Sequence, residues 1–410
     1  MQMKRDKLGA VGSYYQYQQE KIRKKQYGVL ILISIFLVSV FVVTGRFNTD
    51  LDALLSIGRM KIEPIEESVY LMAPEIDYSE YAAPEIAKGI YISASKAKNY
   101  ESFIQLAKET DVNSFVIDVK DDQGYLTFES NNEILVQKGA ILANPPIKDI
   151  EKMMSRLCEA NIYPIARIVA FKDDVAARHN PELAVKSLDG SSYETRGGNT
   201  WLDPYNKENW EYLLEMCKEA IKMGFKEIQF DYVRFHESMN SNRVILDDKL
   251  SKSEIITSFT KYMCEQLQSE GIKVSADVFG AVVLSDLDAE IVGQNFKDMS
   301  QYLDYICPMV YPSHYAEGTF GIEYPHLDAY QIIYKTMQYG MKRLANENGE
   351  KTAIIRPWLQ DFTLKNTMPY LEYGPEEIKA QIKGANAAGV EEWLFWNAAG
   401  NYTKEGLMGE

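Results

Sequence analysis

The sequence predicts an α/β fold, an eight-stranded (β/α) TIM barrel preceded by one N-terminal transmembrane helix. Two patterns predict the barrel. Beyond residue 87, eight short strand-like runs alternate with amphipathic helical segments as far as the C-terminus, and such alternation builds a parallel sheet that eight repeats can close. No run is followed by a Gly-rich phosphate loop, which disfavours an open doubly wound sheet. The helix is predicted by residues 27–45, nineteen residues without a charge.

In chain order, residues 1–26 read as a basic cytoplasmic tail. Seven cations (Lys4, Arg5, Lys7, Lys21, Arg23, Lys24 and Lys25) stand there against Asp6 and Glu20, a net of +5 in a chain of −15, so the rest carries −20. Residues 27–45 span roughly 28 Å as a helix, enough to cross a lipid bilayer. The basic flank places the N-terminus in the cytoplasm and the barrel outside, a single-pass cell-membrane topology. Arg46, Phe47 and Asn48 follow the apolar run in place of a small-x-small cleavage site, so an uncleaved signal anchor is expected. Residues 46–87 are acidic, interrupted by Pro64, Pro74 and Pro84, and read as a stalk or linker.

Residues 88–410 form the barrel domain. Its strands are expected at 89–94, 114–121, 163–170, 227–234, 273–280, 305–311, 352–360 and 392–397. Helices are expected at 100–110, 147–160, 207–223, 253–270 and 375–388. An acidic body of this size repels phosphate backbones, which argues against nucleic acid and suits a neutral polymer. Cys158, Cys217, Cys264 and Cys307 are widely spaced, contain no CxxC pair, and read as buried thiols. Four histidines at no ligand spacing give no reason to expect a metal, and no cofactor motif is present; an acidic calcium site at Asp121 and Asp122 stays open.

Chemistry in a barrel of this type sits at the C-terminal ends of the strands. Period two puts Asp118 with Lys120, Gln229 with Asp231, Ser275 with Asp277, Met309 with Tyr311, and Arg356 with Trp358 and Gln360, each set on one face; Arg167 stands alone on the third strand. Inward faces would fill the mouth with carboxylates, two arginines and a lysine, ringed by Tyr232, Phe279, Tyr311, Trp358 and Trp396. Mutual ion pairing alone would account for any one of these charges; the whole set at matching depth favours a polar ligand. Aromatic faces among carboxylates suit sugar rings. The long connections at 122–146 and 171–205 are expected to wall a cleft, with Trp201 either delivered by a mobile GGN turn or packed on the rim.

The runs KGIYISA, FVIDVKDDQG, RIVAFKD, TWLDPYN, IQFDYVRF, SADVFG, PMVYPSHY, RPWLQDF and WLFWNA together resemble a glycoside-hydrolase-like domain family of unknown function. Its members are barrels in membrane-anchored bacterial proteins, related to established TIM-barrel glycosidases. The resemblance covers nearly all of residues 88–402 and implies a carbohydrate-active barrel. GFKEIQFDYVRF also resembles the fourth-strand motif of chitinase-type glycosidases, in which an acid glutamate follows the last aspartate by two positions. That position is Val233, so the chitinase proton donor is missing.

The expected function is an extracytoplasmic, membrane-anchored glycoside hydrolase acting on a cell-surface or environmental polysaccharide or oligosaccharide. Asp231 is expected as nucleophile and Asp277 as proton donor, with the two roles interchangeable at this stage and Asp118 and Asp361 in reserve. Asp118, Lys120, Arg167, Gln229, Tyr232, Arg234, Tyr311, Arg356, Trp358, Gln360, Trp396 and Asn397 are the expected substrate-binding residues. A non-catalytic polysaccharide-binding barrel is the alternative. An aldolase-type barrel would need a Schiff-base lysine, for which Lys120 is the candidate.

Overall fold

The structure is a computed structural model that describes residues 83–247, 249–345 and 352–409. The basic tail, the apolar run and most of the stalk lie outside the described residues. Among the described residues, no helix is long and apolar enough to cross a membrane.

Strands β1 (Lys88–Ile92), β2 (Ser114–Lys120), β3 (Tyr163–Val169), β4 (Glu227–Asp231), β5 (Lys273–Phe279) and β6 (Tyr305–Met309) pair in parallel in chain order. β7 (Ile354–Ile355) and β8 (Trp358–Gln360) both lie against β6, and β9 (Trp393–Trp396) joins β8 to β1, closing an eight-stave parallel β/α barrel.

The seventh stave is expected to be continuous over 352–360 but is broken into β7 and β8. Pro357 lies in the gap, has no N–H to give the ladder, and leaves only its carbonyl, which accepts from the Leu394 amide at 2.9 Å.

The surrounding helices Tyr100–Lys108, Ile150–Glu159, Lys207–Lys222, Lys252–Gln268 and Pro375–Ala387 match the expected segments to within about three residues, and Ala329–Leu344 completes the layer. Their starts are chemically specified. Asp149, Asn206 and Asp328 accept from first-turn amides, and Ser251 with Glu254 forms a reciprocal capping box, each cap contributing about 1 kcal/mol. The outward faces of the strands and the inner faces of the helices make the main apolar core, in which Val119, Ile168, Phe230 and Phe259 are buried. Cys217, Cys264 and Cys307 are buried and Cys158 half-buried, as thiols rather than disulfides.

A second, smaller core fills the lumen: Tyr91, Val116, Tyr163, Ile165, Tyr305, Cys307, Trp358 and Leu394. A Cβ on Gly89 would lie 2.5 Å from the Leu394 side chain, which would then have to shift. At the lower end of the lumen Arg356 is stacked 3.7 Å over Tyr305 and paired with Glu227 at 2.6 Å.

Candidate active site

The last residues of β4, β5, β6 and β9 meet at the C-terminal mouth around a cavity of about 190 Å³. Its walls are Asp122, Arg167, Asp231, Tyr232, Arg234, Asp277, Phe279, Met309, Tyr311, Trp358 and Trp396. Phe230 pairs with Ala276 across the β4–β5 ladder, so Asp231 and Asp277, one position further on, stand at one height on adjacent strands.

Arg167 organises the acidic side. Its Nε and Nη2 donate to Asp231 Oδ2 at 3.0 and 2.6 Å, its Nη1 to Asp118 Oδ1 at 2.7 Å, and its Nη2 also to Asp122 Oδ1 at 2.9 Å. The other Asp231 oxygen accepts from the Tyr232 amide at 2.6 Å. Tyr232 holds a left-handed backbone with φ of 49°, a conformation costly for a residue with a Cβ. Asp118 also accepts from the Tyr91 hydroxyl at 2.7 Å, and burial raises its carboxyl above the usual range despite Arg167. Tyr91 stacks on Trp396 at 4.0 Å, and the Arg167 guanidinium lies against both rings.

Asp122 has a different setting. Burial opposes its charge, but Arg167 and Lys172 outweigh that and hold its carboxyl at about 2. The Lys172 ammonium donates to Asp122 at 2.8 Å and sits 4.4 Å above the Tyr232 ring.

Asp277 is enclosed. Its Oδ1 accepts from the Trp358 indole N–H at 2.6 Å. Burial first, and the negative charge of Asp231 second, push its carboxyl well above the ordinary range. Gln294 fixes the backbone here, donating to the Asp277 carbonyl at 2.9 Å and accepting from the Phe279 amide at 3.0 Å. Gly280 lets β5 end tightly against β6, since a Cβ there would meet the Met309 carbonyl at 2.5 Å.

Of the expected residues, the structure brings Asp231, Asp277, Arg167, Tyr232, Arg234, Tyr311, Trp358 and Trp396 to the cavity wall, with Asp118 directly behind Arg167. It does not bring the rest. Lys120 is a correction: a register shift between Asp118 and Lys120 turns its side chain out of the lumen, where it pairs with Asp173 at 2.8 Å and lies near Tyr212. That also removes the Schiff-base candidate from the mouth. Arg356 is a second correction, since it faces the lumen but reaches down to Glu227 and Glu392.

Gln229 is buried below the mouth and donates to Cys307 at 3.4 Å. Gln360 accepts from the Ser313 amide at 3.1 Å and hydroxyl at 2.9 Å, bracing the rim. Asn397 spends its amide on the carbonyls of Asp361 and Asn401 and accepts from Ala399, and Asp361 holds the Thr403 amide and hydroxyl; neither lines the cavity. Trp201 packs on the rim, edge-on to Tyr232 at 5.8 Å. Sequence reasoning missed Lys172 and Gln294 as site residues and named Asp122 only as a calcium ligand. Asp122 had a signal, as it directly follows the strand in DVKDD; Gln294 had none.

Residues 89–402 match the family described as "Putative glycosyl hydrolase domain". No curated protein matches the sequence. Among solved structures, a hypothetical protein from Ruminiclostridium thermocellum ATCC 27405 is 39% identical, over 46% of this chain and 97% of that one, with a TM-score of 0.42. The PgaB (BpsB) glycoside hydrolase domain from Bordetella bronchiseptica is 13% identical, over 76% of this chain and 94% of that one, with a TM-score of 0.55, a likeness of fold. The family match takes in every stave from β1 through β9 and every residue of the cavity wall, and the chain belongs to this glycosyl hydrolase domain family.

Proposed function

We propose that the chain is an extracytoplasmic, membrane-anchored glycoside hydrolase that cuts a cell-surface or environmental polysaccharide by a two-carboxylate mechanism. The observation that carries this reading is the contrast between Asp231 and Asp277 at one height on adjacent strands. Asp231 takes three N–H donors, while burial and the neighbouring Asp231 charge raise the Asp277 carboxyl well above the ordinary range. Two carboxyl groups in such unlike settings divide the labour of glycoside cleavage.

In the proposed step the Asp277 proton passes to the glycosidic oxygen as its bond to the anomeric carbon breaks. Asp231 bonds to that carbon. Water then displaces Asp231, giving one proton back to Asp277. Trp358, Trp396, Tyr311 and Phe279 offer faces and edges to the C–H side of the ring. Anchoring rests on the uncharged run at 27–45 and its basic flank. The test is release of new reducing ends from a panel of bacterial and environmental polysaccharides by the full-length protein, with Asp277→Asn as control; equal release by both proteins removes Asp277 from the mechanism.

One observation favours a second reading, a non-catalytic polysaccharide-binding barrel. Val233, at the position of the chitinase-type proton donor, is buried in the apolar core. Tight binding of a polysaccharide with no new reducing ends selects that reading.

A further inference from the structure

Buried cations in this barrel have buried carboxylate partners, with one exception. Lys120 has Asp173, Arg356 has Glu227, and Arg167 has Asp118 and Asp231. Arg234 also lines the cavity, and its side chain is 8% exposed. Its nearest carboxylate is Glu237, 3.6 Å away and 59% exposed on the rim. Its Nη1 donates to the Phe235 carbonyl at 2.9 Å. Among the described residues, Nε and Nη2 have no hydrogen-bond acceptor.

Three rings enclose the guanidinium: Phe279 at 4.3 Å, Tyr232 at 5.1 Å and Trp201 at 5.2 Å. Such faces hold a guanidinium in place, but they accept no conventional N–H hydrogen bond and carry no net charge. The other acids of the mouth hydrogen-bond to other partners. Asp118, Asp122 and Asp231 are bound by Arg167, Asp122 also by Lys172, and Asp277 by the Trp358 indole N–H.

A buried guanidinium with two donors free toward the cavity fits a carboxylate, which takes two parallel N–H bonds, better than a neutral hydroxyl, which brings no charge. We propose that the cavity takes a sugar bearing a carboxylate, and that Arg234 is the residue that reads it. This deepens the glycoside hydrolase reading and rests on it for the sugar. Two sources share the chemistry, a uronic acid and the lactyl ether of a muramic acid.

The test is calorimetry on the full-length protein in detergent at about 150 mM salt, where the Debye length of about 8 Å limits repulsion from the acidic body. The probes are trigalacturonate, N-acetylglucosaminyl-N-acetylmuramate and neutral cellotriose. One acidic probe is expected to bind at least ~10-fold tighter than cellotriose, as a charge-assisted pair provides, and the one that does identifies the source. Arg234→Gln should erase that advantage, bringing the acidic probe down to the affinity of cellotriose, and Arg234→Lys should keep part of it. Equal binding of all three probes, or an Arg234→Gln variant that weakens all three alike, overturns the proposal. Hydrolysis of neutral polymers with no acidic preference sinks this inference and leaves the hydrolase; an Arg234-dependent acidic preference without any hydrolysis does the reverse.

Discussion

The Trp358 indole N–H lies 2.6 Å from Asp277 Oδ1, joining β8 to β5 across the lumen. This bond favours the ionised carboxyl and so works against burial, which dominates. Trp358→Phe keeps an aromatic ring and removes the donor, so the Asp277 carboxyl should rise further. The alkaline limb of kcat/KM should then move to higher pH, with a rate loss of roughly 10-fold from the lost positioning. A pH–rate profile with an unmoved alkaline limb removes Trp358 from this role.

The raised carboxyl of Asp277 has a stability consequence. Between the ordinary aspartate range and the higher native value, the folded protein holds a proton that the unfolded chain has released. Stability contributed by this group is therefore full below the unfolded value and is lost as pH rises through the window, at about 1.4 kcal/mol per pH unit. Asp277→Asn keeps the acceptor for Trp358 and cannot ionise. It should be more stable than the parent near neutral pH, with a gap that closes as pH falls toward about 4. Thermal melts at several pH values check this; a gap that does not change with pH contradicts it.

Arg167 neutralises the acidic wall, and its side chain is buried against Asp118 and Asp231. Arg167→Met leaves those carboxylates without their counter-charge and should cost about 3–5 kcal/mol of stability, read in a denaturant titration. A loss below about 1 kcal/mol would show that the acids do not depend on it.

Lys120 and Asp173 form a fully buried pair behind the barrel wall. Lys120→Met should cost stability of about 3–5 kcal/mol, while KM of the protein that remains folded stays within about twofold. A large KM change with little loss of stability would return Lys120 to the substrate site.

The positions of Lys120 and Arg356 explain how far sequence could reach. Period two along ordinary strands found Asp118, Arg167, Asp231 and Asp277, because each strand keeps its pleat up to those residues. Lys120 lies one step past a register shift, and from there the same count gives the wrong face. For Arg356 the face was right and the height wrong, since alternation carries no information on which end a long side chain seeks. Asp122 and Lys172 sit in loops, where no period applies, and Gln294 acts from a segment between helices. The eight staves were legible because their apolar runs are buried on both faces; the break at Pro357 was visible as a residue but lay inside an otherwise regular run.

The central claim is that Asp231 and Asp277 form one catalytic pair, and the most direct measurement is reducing-end release by the parent, Asp231→Asn, Asp277→Asn and the double variant. The assay uses the best polymer from the panel, with oligosaccharide binding measured in parallel. Each single change should cost about 10²-fold or more with binding retained, and the double variant should lose no more than the worse single one. Parent and variants that bind alike, with no reducing ends from any of them, would contradict the claim.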